Sequence, residues 1–137
     1  TGHGKVCLSI LGTWSGPKWT SIMDVSTIML TIQSLLDKNP LLHEPGVTKS
    51  IYINSFNKII EHENIKTLFL MNTFSIPEGF EIFKAAIEMN MNKNKDKIFD
   101  KIQKKKDIKE NIKLGVYQLD YNINYSNLTD IFKGYIK

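Results

Sequence analysis

Apolar residues recur at helical spacing in this chain, and this periodicity limits the folds that it can adopt. Between residues 21 and 36 the apolar positions fall three or four apart, and prolines follow at positions 40 and 45. Proline lacks an amide donor and biases the residue before it away from helix. We therefore expect a helix from about Ser21 to Leu36, with Thr20 or Ser21 as its cap and a loop after it.

The rest of the chain also reads as mainly helical. The same spacing predicts further helices at about 49–62, at 64–73 (capped by Asn64), at 77–90 (with Pro77 in the first turn) and around 98–102. The polar run NMNKNKDK either interrupts the preceding helix or continues it. Alternating residues from 116 to 125 indicate a strand or hairpin, and Ser126 or Asn127 can cap a short last helix. The segment from Lys5 to Leu11 is either a short strand or an extended segment.

Length and composition exclude several classes of protein. A chain of 137 residues, 42% apolar and 23% charged, is typical of one globular domain. Arginine is absent, which disfavours sequence-specific nucleic-acid binding, and no apolar run is long enough to cross a bilayer. One cysteine excludes an internal disulfide and disfavours a zinc site, so the cytoplasm or nucleus is the expected location.

The single cysteine, Cys7, lies in the segment GKVCLSILGTWSGPKW. A free cysteine is usually a small core residue, but it can also be a nucleophile. A papain-like hydrolase would need a histidine held against the thiol. The chain contains His3, His43 and His62, and none lies in a sequence context that specifies such a pair.

The residue motifs in the first third of the chain identify a protein family more specifically than the helical periodicity does. The segments GKVCLSILGTW, GPKW, TIQSLL, NP and HEPG together resemble the active-site half of a ubiquitin-conjugating enzyme. In that family a Gly-x-[Ile/Val]-Cys-Leu-x-[Ile/Leu]-Leu segment carries the thioester cysteine. A tryptophan, a helix ending in Ser-Leu-Leu and an Asn-Pro loop with an acid-proline pair follow. The long GTWSGPKW spacing is similar to the large Z-type members, and EHENIK and NYSNLTDIFKGYI match them more loosely.

This resemblance implies the α+β fold of ubiquitin-conjugating enzymes in a longer parent protein, of which this chain is a mostly α-helical part. Residues 1–137 would form one partial domain, with the active-site segment and core helices in 1–73 and a family-specific C-terminal extension in 74–137. The family's upstream His-Pro-Asn motif, N-terminal helix and most of its sheet are not in the sequence. A helix from Ser21 to Leu36 would then lack its partner surface, so we expect self-association of the fragment, which can also be inactive by itself.

The resemblance also implies a function, the conjugation of ubiquitin or a ubiquitin-like modifier. Cys7 would take the modifier from an activating enzyme as a thioester and pass it to a lysine or a ligase. Glu44 matches the acid before proline, which would orient an incoming amine and help to remove its proton. His43 would join the same polar rim. The alternative for Glu44 is a solvated loop acid, and for His43 a surface histidine.

No metal or organic cofactor is implied, because the upstream activating enzyme uses the ATP. The implied partners are ubiquitin or a ubiquitin-like protein, the activating enzyme and a ubiquitin ligase, with neither nucleic acid nor membrane. Trp14 and Trp19 are expected to be packing anchors. The lysine-rich segment 93–113 is either a solvated helix face or a surface that attracts an acidic partner. The alternative function is a catalytically inactive binding or scaffold module.

Overall fold

A computed structural model of the chain describes residues 6–44, 47, 50–71, 76–115 and 118–136. The described part is mostly α-helical, as predicted, and contains a two-stranded sheet. Its helices and strands are α1 (Val25–Ser34), α2 (Ile53–Glu63), a π-helix (Asn64–Met71), α3 (Lys84–Lys104), β1 (Lys109–Leu114), β2 (Leu119–Asn124) and α4 (Tyr125–Ile136). Short 3-10 turns lie at Ser9–Leu11, Pro40–His43, Ser50–Tyr52 and Glu81–Phe83.

Helix α1 is shorter than predicted because its cap lies further along the chain. The N-cap is Asp24, not Thr20 or Ser21. The Asp24 carboxylate accepts the Thr27 amide N–H at 2.9 Å, and the Thr27 hydroxyl accepts the Asp24 amide N–H at 3.3 Å. The bond from the Thr27 amide holds the pKa of Asp24 below its ordinary value. This reciprocal capping box satisfies two amides at the start of α1.

Helix α2 continues directly into the π-helix, so the predicted separate helix with Asn64 as its cap is wrong. Asn64 has helical dihedral angles (φ −61°, ψ −43°) and extends the preceding helix. Helix α2 itself begins at Ile53, after the 3-10 turn, later than the predicted start near Lys49. Both Lys49 and the predicted end at Thr73 lie outside the described residues.

Helix α3 starts later and runs further than the helix predicted from Pro77 to Asn90. Gly79 has a positive φ of 83°, which a right-handed helix excludes, and α3 begins only at Lys84. The run NMNKNKDK continues this helix. The separate helical piece expected around residues 98–102 is therefore the second half of α3.

The predicted strand at 116–125 corresponds to β2, which pairs with a strand that the sequence did not reveal. Strands β1 and β2 are antiparallel, with Ile112 opposite Tyr121 and Leu114 opposite Leu119. Strand β1 has the sequence KENIKL, in which only Ile112 and Leu114 are buried. Two buried residues among lysines, a glutamate and an asparagine are too few to show the alternation by which a strand is predicted. Residues 116 and 117 lie outside the described residues.

Helix α4 begins one residue before the predicted caps. It starts at Tyr125, and the side-chain oxygen of Asn124 accepts the amide N–H of Asn127 at 3.2 Å. Asn124 is therefore the cap, and the prediction of Ser126 or Asn127 is wrong.

The core lies among α2, α3, the hairpin and α4. Its buried residues are Ile59, Ile65, Met91, Ile98, Ile102, Ile112, Leu114, Ile123, Tyr125, Leu128 and Phe132. Phe132 is fully buried and stacks on Phe99, with ring centroids 5.2 Å apart. Helix α1 has no buried residue. Within the described part of the chain, no helix combines the length and the apolar character that a membrane span requires.

Candidate active site

Cys7 is exposed and lies at the start of a compact loop. The next residue, Leu8, is extended (φ −132°, ψ 136°), and one 3-10 turn follows from Ser9 to Leu11. Gly12 ends this turn at a positive φ of 68°, where glycine is favoured. The expectation of a strand here is wrong, and the extended alternative fits Leu8; Lys5 lies outside the described residues. An exposed thiol does not fill a core position, so it is open to a reaction partner.

Thr13 closes this loop onto the residue after Cys7. The Thr13 hydroxyl accepts the Leu8 amide N–H at 2.8 Å and donates to the Leu8 carbonyl oxygen at 3.1 Å. The Thr13 amide donates to the same carbonyl at 3.2 Å. Leu8 is only 5% exposed, so these bonds replace water for a buried backbone unit.

Gly16 also brings the loop together, because its backbone lies close to the side chain of Ser9. A β-carbon built at Gly16 would lie 3.0 Å from the β-carbon of Ser9, which is closer than side chains normally approach. Gly16 also has a positive φ of 134°. The space and the backbone angle therefore both require glycine at this position.

Several large apolar side chains lie close to Cys7 in the sequence and are not buried. Val6, Leu11, Trp14 and Trp19 are between 43% and 49% exposed. The expectation that both tryptophans are packing anchors is therefore not met, because each leaves almost half of its surface in solvent. Isolated large aromatics with this exposure are common at surfaces that bind another protein.

His43 and Glu44 lie on a second loop, which follows α1. His43 Nε2 lies 3.0 Å from Asp37 Oδ2, and Asp37 Oδ1 accepts the Asn39 amide N–H at 2.7 Å. The Asn39 amide and the His43 ring hold the pKa of Asp37 below its ordinary value. Glu44 is exposed at the end of the 3-10 turn, and its amide donates to the carbonyl of the fully buried Leu41 at 3.2 Å.

Asn57 of α2 ties this second loop to the rest of the molecule. Its side-chain amide donates to the Lys38 carbonyl at 3.0 Å and approaches Asn39 Oδ1 at 3.4 Å. A groove of about 760 Å³ lies beside it, with Asp37, Glu61 and Lys101 among its lining residues. The two candidate segments thus belong to two loops, one closed by Thr13 and the other held by Asp37 and Asn57.

An ionic cluster that the sequence analysis did not predict joins α2 to α3. Glu61 pairs with Lys101 at 2.8 Å and with Lys105 at 2.5 Å. Burial raises the pKa of the Glu61 carboxyl, but the two lysines outweigh it and the pKa lies below its ordinary value. Lys105 also lies 5.6 Å from the centre of the Tyr125 ring. Lys101 and Lys105 therefore pair within the chain, while most lysines of the segment 93–113 are exposed, which fits the solvated-face alternative.

A second polar cluster centres on the buried His62. Its Nε2 accepts the Asn124 amide N–H at 3.1 Å, and its Nδ1 lies 2.9 Å from the Tyr121 hydroxyl, which donates to Glu63. Burial lowers the pKa of His62 and raises that of Tyr121. Burial and the charge of Glu61 raise the pKa of Tyr125 to about 12. His62 is thus a structural histidine in its neutral form.

Neither cluster had a signal in the sequence, because its members come from segments far apart in the chain. His62 and Tyr121 are separated by 59 residues, and Glu61 and Lys105 by 44. Among the described residues, no group of three or more histidine, cysteine, aspartate or glutamate side chains is placed to hold a metal ion.

The chain is similar over about half of its length to ubiquitin-conjugating enzymes, which confirms the resemblance found in its motifs. Human ubiquitin-conjugating enzyme E2 Z is 43% identical over 67 residues, which cover 47% of this chain and 19% of that protein. A probable ubiquitin-conjugating enzyme protein 17 of Caenorhabditis elegans is 33% identical over 99 residues, covering 64% of this chain and 13% of its own length. A probable ubiquitin-conjugating enzyme E2 of Acanthamoeba polyphaga mimivirus is 41% identical over 71 residues, or 48% of this chain and 5% of that protein.

The chain therefore spans about a fifth of the length of the Z-type relatives and less of the other two. No family model matches the chain.

Proposed function

We propose that this chain carries the thioester-forming segment of a ubiquitin-conjugating enzyme of Z-type character. The observation that carries the proposal is the exposed thiol of Cys7, held on a compact loop within a chain whose relatives are named ubiquitin-conjugating enzymes. The modifier would be ubiquitin or a ubiquitin-like protein, and the partners an activating enzyme and a ligase. The chain would act in the cytoplasm or nucleus.

The first step is an exchange of thioesters. The Cys7 thiolate attacks the carbonyl carbon that joins the modifier to the activating enzyme, and the tetrahedral intermediate expels the activating enzyme's thiolate. The new thioester keeps the acyl group activated, so the chain needs no cofactor of its own. ATP is consumed earlier, by the activating enzyme.

The second step transfers the modifier to an amine. A lysine amine attacks the Cys7 thioester, forms the amide bond, expels the Cys7 thiolate and gives up one proton. Glu44 is an exposed carboxylate that can orient the amine and receive this proton. When His43 donates its Nε2–H to Asp37, the Nδ1 lone pair is available to assist. Both residues are therefore assigned to transfer rather than to loading.

Thioester formation tests the proposal directly. The chain is incubated with activating enzyme, ATP and ubiquitin, and the products are separated with and without reductant. We expect a reducible adduct that Cys7→Ala abolishes and that Cys7→Ser converts to a reductant-resistant ester. Absence of any adduct both here and in a chain extended upstream, with binding of ubiquitin retained, would instead indicate a binding or scaffold module.

Transfer to free lysine separates the roles of Cys7 and Glu44. Glu44→Gln should slow discharge of a preformed thioester by about a hundredfold, the usual size of a general-base effect, and leave loading unchanged. Glu78→Gln is the matched control, because Glu78 is also an exposed loop glutamate. Equal discharge by both variants would remove Glu44 from the mechanism.

We also propose that the isolated chain self-associates through α1. Val25, Met29 and Leu30 are between 61% and 72% exposed, an apolar surface that favours contact with another surface. Light scattering should show a dimer or larger species, and Leu30→Lys should shift it toward monomer. A monomer at every concentration would refute this proposal.

A further inference from the structure

The peptide unit between Cys7 and Leu8 is fixed by one side chain. The N–H of this unit is the Leu8 amide, which donates to the Thr13 hydroxyl at 2.8 Å. The hydroxyl hydrogen points to the Leu8 carbonyl at 3.1 Å, so Thr13 holds both polar groups of Leu8. Leu8 is 5% exposed, and its carbonyl also accepts the Thr13 and Leu11 amides at 3.2 Å each. Loss of the hydroxyl would therefore leave the Leu8 amide, rather than the carbonyl, without its partner within the chain.

Fixing this unit also fixes the backbone of the nucleophile. The Leu8 amide and the Cys7 carbonyl share one rigid plane, so the direction of the amide sets the last backbone dihedral angle of Cys7. Gly16 lies close to the side chain of Ser9, which limits movement of the same segment. A nucleophile that is already held in its reactive position loses less conformational entropy when it attacks.

The same hydrogen bond removes a candidate oxyanion donor. In several enzymes that form covalent intermediates, the amide following the nucleophile stabilises the developing oxyanion. Here the Leu8 amide already donates to Thr13. The oxyanion formed at a Cys7 thioester must therefore be stabilised by another group.

We propose that Thr13 is a positioning residue for the Cys7 thiol, which it holds through the Cys7–Leu8 peptide unit. This proposal rests on the proposed function, since it assigns Thr13 a role in the loading of Cys7. It predicts that the hydroxyl, rather than the bulk of the side chain, is what loading requires.

The experiment compares three variants of the full chain. Thr13→Val keeps the shape and removes both hydroxyl bonds, whereas Thr13→Ser keeps the hydroxyl. Thr31→Val is the matched control, because the Thr31 hydroxyl makes a 2.7 Å bond to the Thr27 carbonyl in α1. Loading by ubiquitin-charged activating enzyme is measured as kcat and KM, together with hydrogen exchange of the Leu8 amide.

Thr13→Val should lower kcat for loading by about ten- to a hundredfold, as misplacement of a reacting group does, with little change in KM. The Leu8 amide should exchange faster in the same variant. Thr13→Ser should restore both readouts, and Thr31→Val should leave both unchanged.

Two results would overturn the positioning role. One is unchanged kcat in Thr13→Val despite faster exchange at Leu8; the other is an unprotected Leu8 amide in the folded, unsubstituted chain, which needs no variant at all. Failure to load by both the unsubstituted chain and a chain extended upstream with the preceding part of the domain would refute the proposed function instead, and the role of Thr13 in loading with it.

Discussion

Helices α1 and α4 have similar lengths and both carry apolar residues at helical spacing, yet only α4 is packed. Helix α4 buries Leu128, Thr129 and Phe132, whereas none of the ten residues of α1 is buried. Helix α4 contacts α3 and the π-helix, which contribute further buried residues to the core. The difference shows that periodicity specifies which face of a helix is apolar, while burial depends on a second element to cover it.

The bonds that hold the two regions differ in the same way. Around Cys7 and α1 most of the described hydrogen bonds join residues within six positions of each other, such as Thr13 to Leu8 and Asp37 to His43. The bond from the Asn57 side chain of α2 to the Lys38 carbonyl spans 19 residues and is the exception. The later region is held by contacts between distant segments, including the ion pair of Lys58 with Glu110 at 2.8 Å. The Cys7 loop and α1 are thus held mainly by local bonds, and the core lies elsewhere.

The largest expected effect is on the packed helix. Phe132→Ala should lower the free energy of unfolding by about 3–5 kcal/mol, because it leaves a cavity beside Phe99. At concentrations at which the chain is monomeric, Leu30→Ala, in the exposed face of α1, should change it by no more than about 0.5 kcal/mol. Urea unfolding of both variants measures the difference. Equal losses would mean that α1 is packed as firmly as α4.

Acid should affect the packed region through His62. Its pKa is lowered in the folded chain, so below the ordinary value of 6.5 the unfolded chain takes up a proton that the folded chain does not. Stability should therefore fall as the pH falls below about 6.5, by at most about 1.4 kcal/mol per pH unit. Glu61 and Glu63 have lowered pKa values and add their losses only below about pH 4.5.

The residues facing His62 are Tyr121, Tyr125, Glu63 and Lys66. His62→Gln should remove the loss between pH 7 and 5, because glutamine can still accept the Asn124 amide without titrating. The control is His43→Gln on the exposed loop, which should keep the loss. A stability that is flat over this range in the unsubstituted chain would contradict the assignment of His62.

The smallest effects come from two glycines. Gly134→Ala in α4 meets no atom within 4 Å and should raise the free energy of unfolding by about 0.5–1 kcal/mol, as alanine does in helices. Gly16→Ala should instead push against Ser9 and strain the loop of Cys7. Thermal unfolding measures the stability of Gly134→Ala, and the rate of alkylation of Cys7 by iodoacetamide measures the change of the loop in Gly16→Ala. An unaltered alkylation rate in Gly16→Ala would show that the loop is not restrained there.

The sequence predicted the helices well where local chemistry decides them. The predicted helix at 21–36 contains α1, and α1 starts later than predicted because a stronger cap, Asp24 with Thr27, lies within the segment. Strand β1 was missed, since charged residues occupy its exposed positions and only its pairing with β2 defines it as a strand.

The candidate site could be predicted only as residue types in a motif. The motif identified Cys7, His43 and Glu44, but the roles of Thr13 and Asp37 depend on how each loop closes. The cluster of His62 could not be predicted, because its partners come from a strand more than fifty residues away.

The hydrogen bond from the Asn124 amide to His62 makes the exchange of this amide a measure of how the core opens. Asn124 ends β2, its side chain caps α4, and its amide donates to a ring on α2 that lies 62 residues earlier in the chain. Closing a loop of this length costs chain entropy, which is offset only when many contacts form at the same time. The amide should therefore exchange with solvent only when helix, hairpin and terminal helix separate together, so a single proton records the cooperative opening of the core.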